Sequence, residues 1–301
     1  SVHEREGWYL PAGRVDEGES FRQGGVRETQ EEAGALVTLD SVIRMEQSNI
    51  TLSRLRVVFD AHMPDLTAPL KNNPKDKETT EAKFLTPDEL SKQKLRSNEV
   101  MSMFQYAAKF PVDEHHFPLS LIRGPDGLPE FIKHDMPICI ASFSVYLIVP
   151  ASSENSQVVI RESDGVIPHY DLPSADLNFG KTPRVPPFQQ AAQALANQVA
   201  GIDVSLRGLL GVWWSPPSAK NSAGFCGVVY LATPLTAKTK LPPTFKQDDL
   251  SAVYGEKSVL HEGVKTIIHD WALKWTPLFP LSALVVEGAP FPARPEKFIQ
   301  P

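Results

Sequence analysis

The sequence predicts an α/β protein built from two halves of similar plan. Three observations carry that prediction. Short β-branched and aromatic runs alternate with helix-like stretches along the chain. One of those stretches, between Gly13 and Ala35, concentrates acidic residues at helical spacing. Two distant segments also share a layout: Trp8-Tyr9-Leu10-Pro11 leads to a helix ending at Thr29–Ala35, and Tyr170-Asp171-Leu172-Pro173 leads to one ending at Ala196–Ile202.

The acidic stretch reads GRVDEGESFRQGGVRETQEEAGA. Glu19 or Ser20 offers an N-cap oxygen before the helical run, and Gly34 suits its end. Glu28, Glu31 and Glu32 fall at i, i+3 and i+4, so their carboxylates share one face. Each like-charge pair at that spacing costs about 0.2–0.5 kcal/mol, which Arg27 offsets only in part. A helix that keeps such a cluster needs a cation, and hard divalent ions such as Mg²⁺ prefer oxygen ligands. Gly24 and Gly25 inside the helix cost about 1 kcal/mol each relative to alanine, which points to close approach of a neighbouring sheet. Beyond the helix, Ser41–Gln47 and Leu55–Met63 read as an antiparallel strand pair, and Ser97 is placed to cap a helix over Asn98–Lys109.

The spacing of Gly13, Glu19, Arg27, Glu28, Glu31, Glu32 and Gly34 is a glycine, five residues, a glutamate, seven residues, then Arg-Glu-x-x-Glu-Glu-x-Gly. That pattern resembles the signature of the Nudix hydrolases, which break pyrophosphate bonds in nucleoside diphosphates linked to another group. With WYLPAGR just ahead of it and a degenerate later half, the chain is similar to the two-part animal members that act on 8-oxo-dGDP. The resemblance implies an α/β/α sandwich with a mixed sheet and the box as a loop-helix-loop. It implies Mg²⁺ or Mn²⁺ bound by Glu28, Glu31 and Glu32, with the carbonyl of Ala12 as a further ligand. It places Glu28, Glu31 and Arg27 in the catalytic machinery, Glu28 first as the base, with Arg27 and Glu19 orienting the carboxylates. A further carboxylate from the loop before the last strand falls on Glu78, six residues ahead of Phe84, with Glu81 as competitor. Trp8 is expected to pack rather than to stack on a base.

The later half carries strand-like runs at Ala141–Val149 and Gln157–Arg161, expected as a hairpin, then at Leu209–Trp214 and Gly224–Thr233, and a closing helix at Val259–Trp275. Aligned on Gly34 and Gly201, Arg27 becomes Ala194, Glu28 becomes Leu195, Glu31 becomes Gln198 and Glu32 becomes Val199. Without anionic oxygens this half cannot hold Mg²⁺ tightly and is expected to be catalytically dead. Two strand-like runs lie between Pro137 and Pro173, whereas only ten residues precede Pro11. The first domain is therefore expected to lack roughly two strands, as in a fragment or a chain completed by a partner. The expected division is a truncated Nudix domain at 1–110, a connection at 111–136 and a degenerate Nudix-like domain at 137–301. His115 and His116 fall in the connection and are expected in a solvated loop.

A net charge of −6, from 30 basic and 36 acidic residues, gives no electrostatic case for binding nucleic-acid polymers. No apolar run approaches the roughly 18 residues of a membrane span. Cys139 and Cys226 lie in separate apolar runs and read as buried free thiols of a reduced, cytoplasmic compartment. The partner implied is a small nucleoside diphosphate substrate; a protein partner is not specified. The region Ser48–Thr51 carries neither the proline found in many ADP-ribose hydrolases nor the tyrosine typical of dinucleoside polyphosphate hydrolases. Oxidised purine nucleoside diphosphates remain the leading substrates. The alternatives are an ADP-ribose or nucleotide-sugar pyrophosphatase and a non-catalytic nucleotide- or protein-binding module.

Overall fold

The computed structural model describes residues 2–3, 7–16, 19–48, 54–110, 116–124, 140–150, 157–162, 170–177, 187–215, 224–235, 241, 245–275 and 277–292. Its first half contains β1 (Val2–His3), β2 (Gly7–Trp8), α1 (Phe21–Ala33), β3 (Thr38–Ser48), β4 (Arg54–His62), α2 (Pro87–Leu90) and α3 (Asn98–Lys109). A 3-10 turn at Leu119–Leu121 runs into β5 (Ile122–Arg123). The later half contains β6 (Ile140–Ile148), β7 (Gln157–Glu162), β8 (Tyr170–Asp171), β9 (Ser174–Leu177), α4 (Phe188–Ala200), β10 (Val204–Ser215) and β11 (Gly224–Pro234). It closes with β12 (Phe245–Asp249), α5 (Ser251–Tyr254), α6 (Glu262–Ala272), a 3-10 turn at Leu281–Ala283 and β13 (Leu284–Val286).

Helix α1 starts where its capping chemistry is. Ser20 accepts from the backbone N–H of Gln23, whose side chain accepts from the Ser20 N–H, a reciprocal capping box. It ends at Gly34, whose φ of 69° lies in the left-handed region and whose missing Cβ leaves room for the Lys71 backbone nitrogen. The apolar runs form a mixed sheet in each half. β4, β3 and β13 are neighbours in one sheet, β3 antiparallel to β4 and parallel to β13. The other has the order β5-β10-β11-β6-β9, with β10 antiparallel to β11 and β11 parallel to β6. One hydrophobic cluster spans both halves, joining Val42 and Met45 to Val212, Trp214, Phe117 and Phe279. A second lies within the later half, where α6 buries Val264, Ile267 and Ile268 against Leu210 and Val229.

The two halves repeat in detail. β3 has register shifts between Leu39 and Ser41 and between Val42 and Arg44; β10 has them between Leu206 and Gly208 and between Leu209 and Gly211, the same offset as Gly34 to Gly201. Trp8 pairs through its backbone with Lys94 and Arg96, and Tyr170 does so with Lys257 and Val259. The Lys83 ammonium lies 5.7 Å over the Trp8 ring and that of Lys246 lies 4.7 Å over Tyr170.

Several sequence expectations are revised. β6 and β7 do not form a hairpin ladder: β6 pairs with β11 and β9, β7 with β12 and β8, and only an isolated bridge at Pro150 and Val158 joins them. Both edges of β6 are already taken, by β11 on one side and by β9 at Phe143–Tyr146 on the other, so the ladder with β7 does not continue past the bridge. The closing helix begins at Glu262, after His261 accepts from the Gly263 N–H. Part of the expected connection is built into the fold: Phe117 bonds to β3, and His116 is buried with Nδ1 3.0 Å from Ser41 Oγ and 3.2 Å from Asp60 Oδ2. Cys226 is buried and free as expected, while Cys139 and His115 lie outside the described residues. Among the described residues no helix is long and apolar enough to cross a membrane.

Candidate active site

The loop Tyr9–Asp16 folds back over α1 and meets its acidic face. Arg27 organises that meeting. Its Nε and Nη2 donate to the Glu19 carboxylate at 2.6 and 3.0 Å, and Nη2 also donates to the Arg14 carbonyl at 2.8 Å. Nη1 donates to Glu28 Oε1 at 3.0 Å and to Glu31 Oε2 at 2.9 Å. One guanidinium thus ties three carboxylates to the loop, a use of planar, multiply donating geometry that lysine cannot reproduce.

Gly13 lies directly against the Glu28 carboxylate. A Cβ there would fall 1.9 Å from the Glu28 carboxyl carbon, so any larger residue would displace that carboxylate from the loop. Gly25 faces the Phe59 ring of β4 and Gly24 faces Val15 and Glu19, at distances where an added Cβ would make near-ordinary contacts, so close approach does not by itself require glycine at either position. Glu32 is buried and held by two donors: the Tyr9 hydroxyl to Oε1 and the Ala12 N–H to Oε2, each at 2.8 Å. The Tyr9 hydroxyl also lies 3.1 Å from the hydroxyl of Thr79, which is fully buried.

The carboxylates differ electrostatically. Burial pushes the Glu28 carboxyl up from its ordinary value; Arg27 pulls it down, but the Glu32 and Glu31 charges add to the rise. For Glu19 burial also raises the value, yet the Arg27 hydrogen bonds and the Asp16 N–H outweigh it and the net shift is downward. Arg27 is correspondingly driven above its ordinary value, chiefly by Glu19. The site therefore accommodates the negative charge of Glu28 less well than that of Glu19.

Glu28, Glu31 and Glu32 sit on one flank of α1 as the spacing requires, but their oxygens turn to different partners. Glu28 and Glu31 turn to Arg27, Glu32 to Tyr9 and Ala12. Among the described residues no group of three or more His, Cys, Asp or Glu is gathered to hold a metal ion. The donor set is all hard oxygen and suits Mg²⁺ or Mn²⁺ in kind; here Arg27 supplies the positive charge that the cluster needs. The structure places Ala12 at the site through its N–H. Glu78 is exposed, and its N–H donates to Asp76 at 2.9 Å; the neighbouring Thr79 is the residue of that loop that reaches Tyr9. Glu81 pairs with Lys83 at 2.8 Å. Tyr9 and Thr79 were not singled out from sequence. Tyr9 stood in the WYLPAGR run beside the more conspicuous Trp8, and nothing local marks Thr79.

Ser41, His116 and Asp60 do not make a second reactive site. Serine and aspartate both face the same imidazole nitrogen, whereas a relay needs them on opposite nitrogens.

Residues 2–104 of the 301 match the family model described as "NUDIX domain". That match covers about a third of the chain and supports a hydrolase acting on pyrophosphate bonds. Hydrolases of this family generally use divalent metal ions. No curated protein matches the chain. Solved structures similar to it include a NUDIX hydrolase from Nitrosomonas europaea, 12% identical, with a TM-score of 0.35 over 46% of this chain and 93% of that one. The MutT protein from Methanosarcina mazei Go1 is 14% identical, with a TM-score of 0.31 over 44% of this chain and 92% of the other. The Ap4A hydrolase of C. elegans is 10% identical, with a TM-score of 0.32 over 45% and 98%. At such scores these likenesses carry no weight for activity or substrate.

Proposed function

We propose that the protein cleaves the pyrophosphate bond of nucleoside diphosphate derivatives, with oxidised purine nucleoside diphosphates of the 8-oxo-dGDP type as substrates and the monophosphate as product. In this reading residues 1–110 form the catalytic domain, 111–136 the connection, and 137–301 a degenerate Nudix-like domain whose helix α4 has lost the carboxylates. The proposed location is the cytoplasm, where the nucleotide pool is exposed to oxidation.

The observation that carries the reading is Glu28. It is half-buried against Gly13, raised from its ordinary pKa, and flanked on the same helical face by Glu31 and Glu32. A carboxylate so placed is stabilised either by a nearby cation or by accepting a proton, and both belong to hydrolysis of a phosphoanhydride. Glu28, Glu31 and Glu32, with the Ala12 carbonyl and Glu78 completing the set, would hold Mg²⁺ or Mn²⁺. The bound ion supplies charge neutralisation at the phosphate oxygens. The chain itself does the positioning. Tyr9 fixes Glu32 through its hydroxyl, Arg27 fixes Glu28 and Glu31, and Glu19 anchors Arg27.

The test is release of monophosphate from 8-oxo-dGDP, dGDP, ADP-ribose and a nucleotide sugar, with and without Mg²⁺, beside Glu28→Gln and Glu31→Gln. The expected result is Mg²⁺-dependent turnover, fastest on 8-oxo-dGDP, that drops about a hundredfold or more in Glu28→Gln. Faster turnover of ADP-ribose or the sugar nucleotide would replace the substrate assignment. Absence of metal-dependent turnover on all four would overturn the enzymatic reading in favour of a binding module.

A further inference from the structure

We infer that the later half acts as a built-in second subunit for the carboxylate domain, supplying an outer strand of its sheet and the seat for the first turn of α1. The contacts between the halves are reciprocal, as in a two-fold homodimer, although they join two parts of one chain.

The reciprocity starts in a repeated segment, Phe117-Pro118-Leu119-Ser120 and Phe279-Pro280-Leu281-Ser282. Phe117 exchanges two backbone hydrogen bonds with Val42 of β3, each 2.8 Å, and Phe279 exchanges two with Leu209 of β10, each 2.8 Å. Val42 and Leu209 are equivalent positions, since each follows the first of the paired bulges. The chain then crosses over. β5 leaves the first half and pairs parallel with β10, Ile122 against Val212; β13 leaves the later half and pairs parallel with β3, Leu284 against Met45. The two phenylalanine rings meet edge-to-face at 6.3 Å where the segments cross. Each half thus lends the other a strand in the same register.

The helices repeat the exchange. On α1, Arg22 Nη2 donates to the Leu119 carbonyl at 2.9 Å, and on α4 Gln189 Nε2 donates to the Leu281 carbonyl at 2.9 Å. The Phe21 ring packs edge-on at 5.3 Å against Trp214 of β10, while the Phe188 N–H donates to Gln47 Oε1 of β3 at 2.8 Å. Phe21 opens the same helix that carries Glu28, Glu31 and Glu32, so the seat of the acidic helix is partly the later half's.

Beyond β13 the chain continues to serve the first half. The Glu287 N–H donates to the Gln47 carbonyl at 2.9 Å, Arg44 Nη1 donates to the Ala289 carbonyl at 2.9 Å, and the Arg44 guanidinium lies 3.7 Å over the Phe291 ring. Arg44 and Glu46, both buried, pair with each other, and Glu46 also pairs with Arg56. A buried ion pair needs polar and packing partners, and segment 284–291 supplies two of them, the Ala289 carbonyl and the Phe291 ring. Two independent domains on a flexible connection would show none of this mutual strand exchange.

Hydrogen exchange on the whole, metal-free chain tests the inference without reference to any reaction. Val285→Pro removes an N–H from the β13 edge that faces β3. The expected result is protection of the Met45–Ser48 amides and the first turn of α1 falling about tenfold or more, with β11 amides from Cys226 to Leu231 changed less than about threefold. Gln189→Ala, a milder change at a half-exposed position of α4, frees the carbonyls of Leu281 and Leu284 and is expected to lower Met45–Ser48 protection about threefold. Should Val285→Pro unfold the whole chain, Gln189→Ala decides alone. Unchanged protection at Met45–Ser48 in Gln189→Ala, or in a folded Val285→Pro, would overturn the inference.

Discussion

Strands β4 and β11 occupy equivalent places in the two halves, yet β11 is buried from Phe225 to Ala232 wherever a side chain can bury, while Leu55 to Asp60 of β4 are only half-buried. The difference lies at the outer edge. β11 has β6 beside it and β9 beyond, whereas among the described residues β4 has β3 alone. The acidic helix shows the matching contrast. Glu28 stands on α1 with 17% of its side chain exposed, and its counterpart Leu195 on α4 is 2% exposed within the shared core. One frame therefore serves two purposes. Where the sheet is completed and the helix is apolar, the half is a core; where the helix keeps its acids, charge is held at the surface by Arg27 and the loop.

Exchanging residues between the halves sharpens that contrast. Leu195→Glu should have the largest effect, because a carboxylate placed in the shared core has no counter-charge among the apolar neighbours; we expect about 3 kcal/mol or more of destabilisation, read by denaturant unfolding. A loss below 1 kcal/mol would mean that α4 tolerates charge as α1 does. Next comes Gly13→Ala, which drives a methyl group into the Glu28 carboxyl and should lower turnover about a hundredfold, while the thermal midpoint moves little. Full turnover in this variant would remove Glu28 from the site.

Arg27→Ala should lower turnover about thirtyfold and also destabilise the protein by about 1–3 kcal/mol, since it releases three carboxylates at once. An effect on turnover with no effect on stability would argue that Arg27 touches substrate instead. Tyr9→Phe removes a single hydroxyl shared by Glu32 and Thr79, and about a tenfold rise in the Mg²⁺ concentration for half-maximal turnover is expected.

The smallest effect concerns pH and lies in the later half. Burial holds His261 below its ordinary value of 6.5, with Glu262 opposing weakly, and its Nδ1 must be unprotonated to accept from Gly263. A base with a depressed folded pKa contributes stability that is present above 6.5 and is lost as pH falls through the depressed value. Melting temperature should therefore decline on acidification through that window, and His261→Asn should flatten the decline. Parallel slopes in both proteins would dismiss the histidine as its source.

The parts that were legible in the sequence are those in which chemistry and shape are both local. The capped acidic helix lies within one stretch, and its glycines, arginine and glutamates fix each other over a few turns. β3, β4, β10 and β11 were legible because nine to twelve residues of β-rich composition leave little ambiguity. β5 and β13 were not, since two or three residues carry no periodicity and their partners lie in the other half. The repeated Phe-Pro-Leu-Ser segment was the available signal. The hold of Tyr9 on Glu32 and Thr79 spans 23 and 70 positions, so no spacing rule reaches it.

The crossing of β13 onto β3 has a consequence for synthesis on the ribosome. Met45 must wait for Leu284, about 240 residues later, before its strand gains a neighbour on that side. At roughly 5–20 residues per second, that interval lasts on the order of ten seconds or more, during which the edge of β3 stands open to other chains. Conditions that slow elongation should thus lower the soluble yield more than the folded protein's own stability would suggest.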